Sequence, residues 1–567
     1  MFSTPGHPEA NHGIEGIEVS TGPLGQGISN AVGLAIGEAH MAATFNREGF
    51  NIIDNYTYAI CGDGCLQEGV AAEAVSVAGH LQLGKLIVLY DDNSITIDGD
   101  TALGFTEDVL KRFESYGWHT SKVDNGDSDL GGLKKVIEEA KKVKNKPSLI
   151  KIKTTIGFGS KNQGEEKVHG APLGAEDIKN VKVKFGLDPE KSFHVQDSVY
   201  EFFHQVSAKG TQAEKTWNTL FASYTKAHPE LAAEFIRRQK GKLPDNLESI
   251  LPRFTPEDAA QGSRKYSEMV LNKIADALPE LVGGSADLTG SNLTRWKSAT
   301  DFQAEATGLG NYAGRYIRFG VREHGMAAIC NGLAAYGGIL LIKFELIKKF
   351  CEIGIIPFGA TFFNFISYAL GAVRLTALSR FRVLYIMTHD SIGLGEDGPT
   401  HQPIETLAGL RALPNILNFR PADGNEVSGS YLQALRHQHK PSVLILSRQN
   451  LPNLKGSAVE KVSLGAYVLE EQTDGGKLDL IIVATGSEVA IAVETAKLLF
   501  SKSQVRVRVV SMPCWELFEE QTQKYKESVF LEDIPVLSVE VLSGVGWEKY
   551  AHGSVDMKTF GSSGPYK

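Results

Sequence analysis

The chain has 567 residues, enough for three or four domains with full hydrophobic cores. Its composition, 42% hydrophobic and 22% charged, is that of a globular protein, and its net charge of −9 argues against a nucleic-acid-binding or membrane-surface protein. The five cysteines show neither metal-ligand nor disulfide spacing, so we expect a reducing compartment and a cytoplasmic location. The longest uncharged stretch, 353–373, contains Pro357, Asn364 and glycines, which argues against a membrane span.

A strand–helix–strand unit is predicted near the start of the chain. The apolar run Tyr56–Cys61 predicts a buried strand that ends at the glycines of Gly62-Asp63-Gly64. Leu86–Tyr90 predicts a second strand, and the Ala-rich segment Glu68–Ala78 between them predicts a crossover helix. The carboxyl ends of such parallel strands form the edge at which open α/β sheets bind ligands.

Asp63 and Asn93 follow these two strands and carry hard oxygen ligands. Such ligands suit Mg²⁺ or Ca²⁺ bridging a diphosphate, and the glycines allow the backbone to approach the phosphates closely. A Gly-Asp-Gly alone is more often a simple turn after a strand. The presence of Asn93 at the end of the next strand favours the binding of a diphosphate cofactor.

Three successive α/β patterns predict three consecutive parallel-sheet, doubly wound domains, the third being smaller. We place them at 1–228, 229–458 and 459–567, with a polar, helical linker region at 184–242. The further predicted strands are Leu149–Thr154, Arg315–Phe319, Arg382–Met387, Ser442–Leu446, Leu478–Gly486 and Val505–Val510, with a helix at Glu488–Phe500.

Several more runs carry candidate functional residues; one is a glycine loop that opens an Ala-rich helix, and the others place histidines, acids or arginines in rigid loops or at strand ends. They are Thr4–Glu9, Thr21–Gly27, Val168–Pro172, Gly284–Thr289, Phe319–His324, Thr388–Ser391, Gly395–Pro403 and Leu446–Gln449. Together with Gly62-Asp63-Gly64 and Asn93, these runs resemble the transketolase family, of the eukaryotic, fungal type, from Thr4 to about Gly564.

The resemblance implies a thiamine-diphosphate-dependent and Mg²⁺- or Ca²⁺-dependent enzyme of the pentose phosphate pathway. Such an enzyme transfers a two-carbon ketol unit from a ketose phosphate, such as xylulose 5-phosphate, to an aldose phosphate, such as ribose 5-phosphate or erythrose 4-phosphate. The resemblance also implies a homodimer whose active sites are shared between subunits. The sugar phosphates would be its partners, with no nucleic acid and no membrane.

The resemblance further implies roles for individual residues. The metal ligands would be Asp63, Asn93 and the carbonyl of Ile95. Cofactor binding would involve Gly22, Leu24, Gly62, Gly64, Glu68, Asn93, Ile156, His169, Asp287, Phe362, Phe365 and Tyr368. Glu323 resembles the acid that hydrogen-bonds N1′ of the cofactor's aminopyrimidine ring. His7, His169 and His401 resemble the family's histidines that bind sugar hydroxyls and transfer protons. The substrate residues would be His7, His169, Arg264, Ser291, His389, Asp397, His401 and Arg448.

Each of these residues has an ordinary structural interpretation when it is taken alone. Arg448 at a strand end would be a surface salt bridge, Glu323 a charge stabilised by a helix dipole, and His169 a loop histidine. Phe362, Phe365 and Tyr368 at helical spacing would be core residues. Two alternatives also stay open for the whole chain: dihydroxyacetone synthase, which uses formaldehyde as acceptor, and a catalytically inactive fragment or gene-model artefact.

The chain departs from the family in three places. The resemblance implies that the family's Ser-Gly-His-Pro-Gly motif would come before residue 1, that the third domain would continue beyond Lys567, and that the segment at about 339–354 is extra. We interpret this segment as a retained intron or gene-model error, the alternative being a basic amphipathic helix for a partner or a membrane surface. We therefore expect the chain as written to lack appreciable ketol transfer.

Overall fold

The computed structural model describes residues 9–10, 16–339 and 354–565. The chain folds into two compact units. The N-terminal unit comprises Thr21–Arg237 with Ala304–Gly308, and the C-terminal unit comprises Met1–Ser20, Arg238–Gln303 and Leu309–Lys567. The predicted site residue His7 lies outside the described residues, as does the extra segment except for its ends, 339 and 354.

A four-stranded parallel sheet forms the centre of the N-terminal unit. Its strands are β1 (Thr57–Gly62), β2 (Leu86–Asp92), β3 (His119–Val123) and β4 (Ser148–Lys153), in the order β1-β2-β4-β3. The helices of this region are Gln26–Phe45, Asp63–Gln67, Gly69–His80, Val109–Ser115, Leu130–Ala140, Ala175–Lys184, Asp197–Ala227 and Pro229–Gln239. The predicted strands and the crossover helix are thereby confirmed. Gly62 pairs with Asp91, so helix Asp63–Gln67 and the loop after β2 leave the sheet side by side.

The prediction that β1 is buried was wrong on one face. Tyr58 and Ile60 are 49% and 77% exposed, whereas Leu86, Ile87 and Val88 of β2 are fully buried. The physical reason is position, because β1 lies at the edge of the described sheet and β2 lies between two neighbours.

A six-stranded parallel sheet organises the first part of the C-terminal unit. Its strands are β5 (Leu281–Ser285), β6 (Tyr316–Arg318), β7 (Ile356–Phe362), β8 (Leu384–Thr388), β9 (Leu417–Phe419) and β10 (Ser442–Leu446), in the order β9-β10-β8-β7-β5-β6. Its helices are Leu247–Ile250, Ser263–Ile274, Thr289–Asn292, Glu323–Ile339, Leu370–Leu378, Thr406–Arg411 and Gly424–Arg436. The central strands β7, β8 and β10 are buried along their whole length, which explains their continuous apolar sequences.

Strand β5 lies too close to its neighbours to carry side chains at its middle positions. A Cβ at Gly284 would lie 1.7 Å from the carbonyl oxygen of Ile317, and one at Gly283 would lie 1.9 Å from that of Phe358. The uncharged stretch 353–373 contains β7, a 3₁₀ segment and the start of helix Leu370–Leu378. Among the residues that the structure describes, no helix is both long enough and apolar enough to cross a bilayer.

The last part of the C-terminal unit contains a five-stranded sheet. Its strands are β11 (Tyr467–Gln472), β12 (Leu480–Ala484), β13 (Val507–Ser511), β14 (Val536–Val539) and β15 (Gly553–Val555), in the order β11-β13-β12-β14-β15. Its helices are Glu488–Ser503, Trp515–Glu519 and Gln523–Val529. The α/β class is confirmed, but this third sheet is mixed, because the edge strand β11 pairs antiparallel with β13. The predicted domain boundaries stay a prediction.

Candidate active site

Five predicted site residues of the C-terminal unit lie at or shortly after the carboxyl ends of its parallel strands. Asp287, Glu323 and His389 follow β5, β6 and β8, Phe362 ends β7, and Arg448 follows β10. These strand ends share one edge of the sheet, the edge at which α/β proteins bind ligands.

A cavity of about 420 Å³ opens at this edge. Its lining residues are Arg264, Gly290, Ser291, Phe362, His389, Asp397, His401 and Arg448. The structure thus brings together six of the predicted substrate residues, although they are spread over almost 200 positions of sequence. His169 belongs to the N-terminal unit and is exposed.

Two arginines give the cavity a positive charge. Arg264 donates from Nη1 to the carbonyl oxygen of Ser291 at 2.7 Å. Arg448 donates from Nη1 to the carbonyl oxygen of Leu394 at 3.2 Å and pairs through Nη2 with Glu396 at 2.9 Å. Burial, together with the charge of Arg448, lowers the pKa of Arg264. Two half-buried guanidinium groups on one cavity are suited to binding a phosphate.

His389 is a buried and neutral imidazole beside these arginines. It is 3% exposed, and its ring centroid lies 3.8 Å from that of Phe362. Burial lowers the pKa of His389 to about 3, and the charges of Arg264 and Arg448 act in the same direction. Its φ of +63° is uncommon for a residue other than glycine, so the surrounding structure must hold this backbone conformation.

An aromatic surface adjoins the cavity. Phe362 precedes the 3₁₀ helix Phe363–Ala369, which carries Phe365 and Tyr368. With three residues per turn, residues three apart lie on the same face of a 3₁₀ helix, and the ring centroids are 6.0 Å and 6.1 Å apart in succession. His401 lies 5.1 Å from Phe365, centroid to centroid. Phe362 is buried but Tyr368 is 68% exposed. The three aromatic residues are therefore not all core residues, and one end of this surface is open to solvent.

A buried ion cluster supports the loop that carries His389, and the sequence analysis missed it. Arg420 donates to Asp390, the residue after His389, from Nε at 3.1 Å and from Nη2 at 2.8 Å. The same guanidinium pairs with Glu488 and donates to the hydroxyl of Thr485 at 2.9 Å. An arginine directly after strand β9 was the available sequence signal, but its partners lie far away in the chain.

In the N-terminal unit, Asp63 offers an unused ligand atom. Its Oδ1 accepts the hydroxyl hydrogen of Tyr90, whereas its Oδ2 is buried and accepts no hydrogen bond within the described part of the chain. Burial raises the pKa of Asp63, and the hydrogen bond from Tyr90 acts in the opposite direction. Asn93 turns the chain at the same place by accepting from the amide of Ile95 at 2.9 Å. The predicted metal ligands therefore lie at neighbouring strand ends.

The predicted glycine loop, Thr21–Gly27, lies against the segment that follows strand β1. A Cβ at Gly64 would lie 2.8 Å from Cδ1 of Leu24, and one at Gly25 would lie 2.8 Å from Cβ of Glu68. Gly22 has a φ of +130°, which favours glycine. Glu68 is exposed at the N-terminus of helix Gly69–His80.

Ile156 follows β4 in a loop that contacts the predicted histidine loop of the N-terminal unit. A Cβ at Gly157 would lie 2.6 Å from Cγ2 of Val168, the residue before His169. Because Ile156 is half-buried and His169 is exposed, the two residues present an apolar and a polar group on adjoining loops.

Three family descriptions match successive parts of the chain. Residues 2–244 match "Transketolase, thiamine diphosphate binding domain". Residues 260–348 and 351–453 match "Transketolase, pyrimidine binding domain", and residues 465–567 match "Transketolase-like TK C-terminal domain".

Individual proteins are similar over nearly the whole chain. Transketolase 1 of Saccharomyces cerevisiae is 55% identical over 562 residues, which cover 99% of this chain and 80% of that protein. The crystal structure of a Pichia stipitis transketolase in complex with sedoheptulose 7-phosphate is 53% identical, with a TM-score of 0.94, and the match covers 99% of this chain and 80% of that one. A transketolase structure from Leishmania mexicana gives 53% identity and a TM-score of 0.93, with the same coverage.

Proposed function

Because the chain belongs to the transketolase family, we propose that its cavity binds the sugar phosphates between which a two-carbon ketol unit is transferred. The observation that carries this proposal is the composition of the cavity wall, which combines two arginines, two histidines and one carboxylate. Arg264, Arg448, Ser291 and His389 would hold the phosphate of xylulose 5-phosphate or ribose 5-phosphate. Asp397 would accept a hydrogen bond from the donor's C2 hydroxyl.

The residues of the N-terminal unit fit a thiamine diphosphate held through a divalent cation. Asp63 Oδ2 is a buried carboxylate oxygen without a hydrogen bond in the described residues, and the amide oxygen of Asn93 and the carbonyl of Ile95 are further hard donors. Mg²⁺ or Ca²⁺ would suit this set of oxygen ligands. Thiamine diphosphate, when bound, supplies the carbon nucleophile and electron sink that breaking a ketose C2–C3 bond requires.

The protein's own groups would bind the cofactor ring and move protons. Phe362, Phe365 and Tyr368 offer an aromatic surface on which a pyrimidine ring can stack. Glu323, the first residue of helix Glu323–Ile339, would hold a proton at the ring nitrogen N1′. His401 adjoins this surface and would exchange a proton with a sugar hydroxyl. His7 and His169 have the same proposed role.

The proposal includes a homodimer that shares its active sites between subunits. It is supported by the exposure of Tyr368, which leaves one side of the aromatic surface open to a second copy of the chain. The three-domain division and the cytoplasmic location also remain proposals. The expectation that the chain as written lacks turnover stays a prediction, so the test below measures binding as well as activity.

The test of cofactor and metal binding uses the purified chain and Asp63→Asn. Thiamine diphosphate with Ca²⁺ should raise the melting temperature of the original chain and not that of the variant. Burial raises the pKa of Asp63, so at a pH above that pKa the ionised carboxylate destabilises the metal-free fold. Without ligands, Asp63→Asn should therefore be at least as stable as the original chain near pH 7.5. The matched control is Glu38→Gln, since Glu38 is also a buried carboxylate but pairs with Lys85. Thiamine diphosphate with Ca²⁺ should still raise the melting temperature of this variant.

Activity is measured as transfer from xylulose 5-phosphate to ribose 5-phosphate, with formaldehyde as the alternative acceptor. Transfer to ribose 5-phosphate supports the proposal, and transfer to formaldehyde alone would favour the dihydroxyacetone synthase alternative. If neither the cofactor with Ca²⁺ nor a sugar phosphate binds, the proposed function is wrong for this chain.

A further inference from the structure

A chain of buried hydrogen bonds runs from the backbone of β7 to the imidazole of His389. Ser285 Oγ lies 3.1 Å from the carbonyl oxygen of Ala360, and Asn292 Nδ2 lies 3.0 Å from Ser285 Oγ. Thr388 Oγ1 lies 2.9 Å from Asn292 Oδ1 and 2.8 Å from His389 Nδ1. All four side chains are at most 3% exposed, so each buried donor hydrogen in the series must meet an acceptor within the protein.

Which group donates in each hydrogen bond of this series follows from the first bond, between Ser285 and the carbonyl of Ala360. The carbonyl of Ala360 can only accept, so the hydroxyl of Ser285 donates to it. That hydroxyl has no second hydrogen, so the amide NH₂ of Asn292 must donate to Ser285, which turns the amide oxygen toward Thr388. Thr388 then donates to Asn292, and its remaining lone pair accepts from His389.

The imidazole of His389 therefore carries its proton on Nδ1. Because the ring is neutral, Nε2 has only a lone pair. Within the described residues, Nε2 hydrogen-bonds no protein atom, and the ring lines the cavity with Arg264 and Arg448. A phosphate dianion also has only lone pairs to offer, so the two groups can meet only if one additional proton lies between them.

We propose that Thr388 and Asn292 are positioning residues that fix the Nδ1–H tautomer of His389, so that a sugar phosphate binds here together with one proton. The proton lies either on His389 Nε2 or on the phosphate, and the count is the same in both cases. This inference rests on the proposed function, since it deepens the assignment of the cavity to sugar phosphates. It makes His389 a sensor of the phosphate's protonation state.

The charges around the cavity agree with this count. Besides His389, the titratable and charged groups that line it are Arg264, Arg448, Asp397 and His401. Arg264, Arg448 and His401 all oppose protonation of His389 in the empty cavity, and burial opposes it most. The imidazole therefore holds no extra proton before the phosphate arrives. A phosphate monoester with a second pKa of about 6 is mostly dianionic near pH 7.5.

The experiment is calorimetric titration of the thiamine-diphosphate- and Mg²⁺-loaded chain with ribose 5-phosphate. Repeating it in PIPES and imidazole, which both buffer at the two pH values used and differ in ionisation enthalpy, gives the number of protons taken up. We expect about one proton near pH 7.5 and about half a proton at pH 6, since the ligand then carries the other half. The dissociation constant should accordingly rise about tenfold per pH unit above pH 7.

Four variants separate the inference from a general structural effect. His389→Gln places an amide donor in the cavity without needing a proton, so uptake should fall close to zero. Thr388→Val lets the imidazole carry its proton on Nε2 instead and should reduce uptake to less than half, whereas Thr388→Ser should restore it. Thr376→Val is the matched control, because Thr376 is equally buried and donates to another asparagine, Asn331, at 2.6 Å. It should leave the uptake at about one proton.

The outcomes distinguish the two claims. Ribose 5-phosphate binding without proton uptake by the original chain overturns this inference and leaves the proposed function standing. Unchanged uptake in a folded Thr388→Val variant overturns the positioning role. If ribose 5-phosphate does not bind at all, both the inference and the proposed function fail.

Discussion

Replacing Arg420 by methionine is expected to destabilise the C-terminal unit and to loosen the loop that carries His389. The guanidinium is 1% exposed and neutralises Asp390 and Glu488. It also donates to the carbonyl oxygen and the hydroxyl of Thr485 at 3.1 Å and 2.9 Å. Methionine fills part of the volume but leaves two buried carboxylates without this cation. Removing one partner of a buried ion pair costs about 3–5 kcal/mol, and we expect a loss of that size near pH 7.5.

The loss should depend on pH with a definite sign. Burial raises the pKa of Glu488, and Arg420 lowers it, so removing Arg420 raises this folded-state pKa further. A carboxyl whose folded pKa is raised destabilises the protein above that pKa and ceases to do so as pH falls through it. The difference in stability between the variant and the original chain should therefore be smaller at pH 5 than at pH 7.5.

Urea unfolding followed by tryptophan fluorescence measures the loss, and ribose 5-phosphate titration measures the effect on the loop. The control is Arg508→Met, since Arg508 pairs with Glu471 at 2.7 Å and donates to two backbone carbonyls in the third sheet. We expect Arg420→Met to weaken ribose 5-phosphate binding at least threefold and Arg508→Met to leave its affinity unchanged. A loss below about 1 kcal/mol with unchanged affinity, or a loss that is the same at both pH values, would refute the reasoning.

Three further predictions concern single residues. Glu396→Gln removes the carboxylate that pairs with Arg448 at 2.9 Å, so ribose 5-phosphate should bind a few-fold more tightly; equal or weaker binding in a titration would contradict this. Ca²⁺ affinity in the presence of thiamine diphosphate should fall as pH falls through the raised pKa of Asp63, because protons compete for the same oxygen; a calcium affinity that stays constant from pH 7.5 down to pH 4 would exclude this. Gly284→Ala would place a Cβ 1.7 Å from the carbonyl oxygen of Ile317, so we expect little folded protein; a normal melting temperature would show that β5 can move aside.

Much of the fold could be predicted because its strands are short apolar runs that end in glycine or polar residues. Ser442–Leu446 coincides with the predicted strand, and β2 extends its prediction by only two residues. The exposed face of β1 could not be predicted, because the composition of a strand does not reveal whether it has one neighbour or two. The antiparallel pairing of β11 was equally inaccessible, since it depends on which distant strand is adjacent.

The candidate site likewise contains residues that could be predicted from the sequence and residues that could not. Asp63 could be proposed as a ligand because a polar group after an apolar run marks the ligand-binding edge of a sheet, whereas Arg448 was proposed only through the family resemblance, since an arginine at a strand end is by itself an ordinary surface ion pair. The residues that fix their neighbours could not be predicted. Arg420 contacts Asp390, which is distant in the sequence. Thr388 is next to His389, but nothing in the local sequence indicates its hydrogen bond to the distant Asn292.

The most direct test of the account measures ribose 5-phosphate binding to the cofactor-loaded chain and to Arg448→Met. Arg318→Met is the control, since Arg318 pairs with Asp301 and does not line the cavity. A charged hydrogen-bond donor to a phosphate contributes about 1.5–3 kcal/mol, so Arg448→Met should weaken binding about 30-fold and Arg318→Met should not weaken it. Saturable binding that depends on Arg448 is the result we predict, whereas equal binding by all three proteins, or binding by none, would contradict the assignment of this cavity to a sugar phosphate.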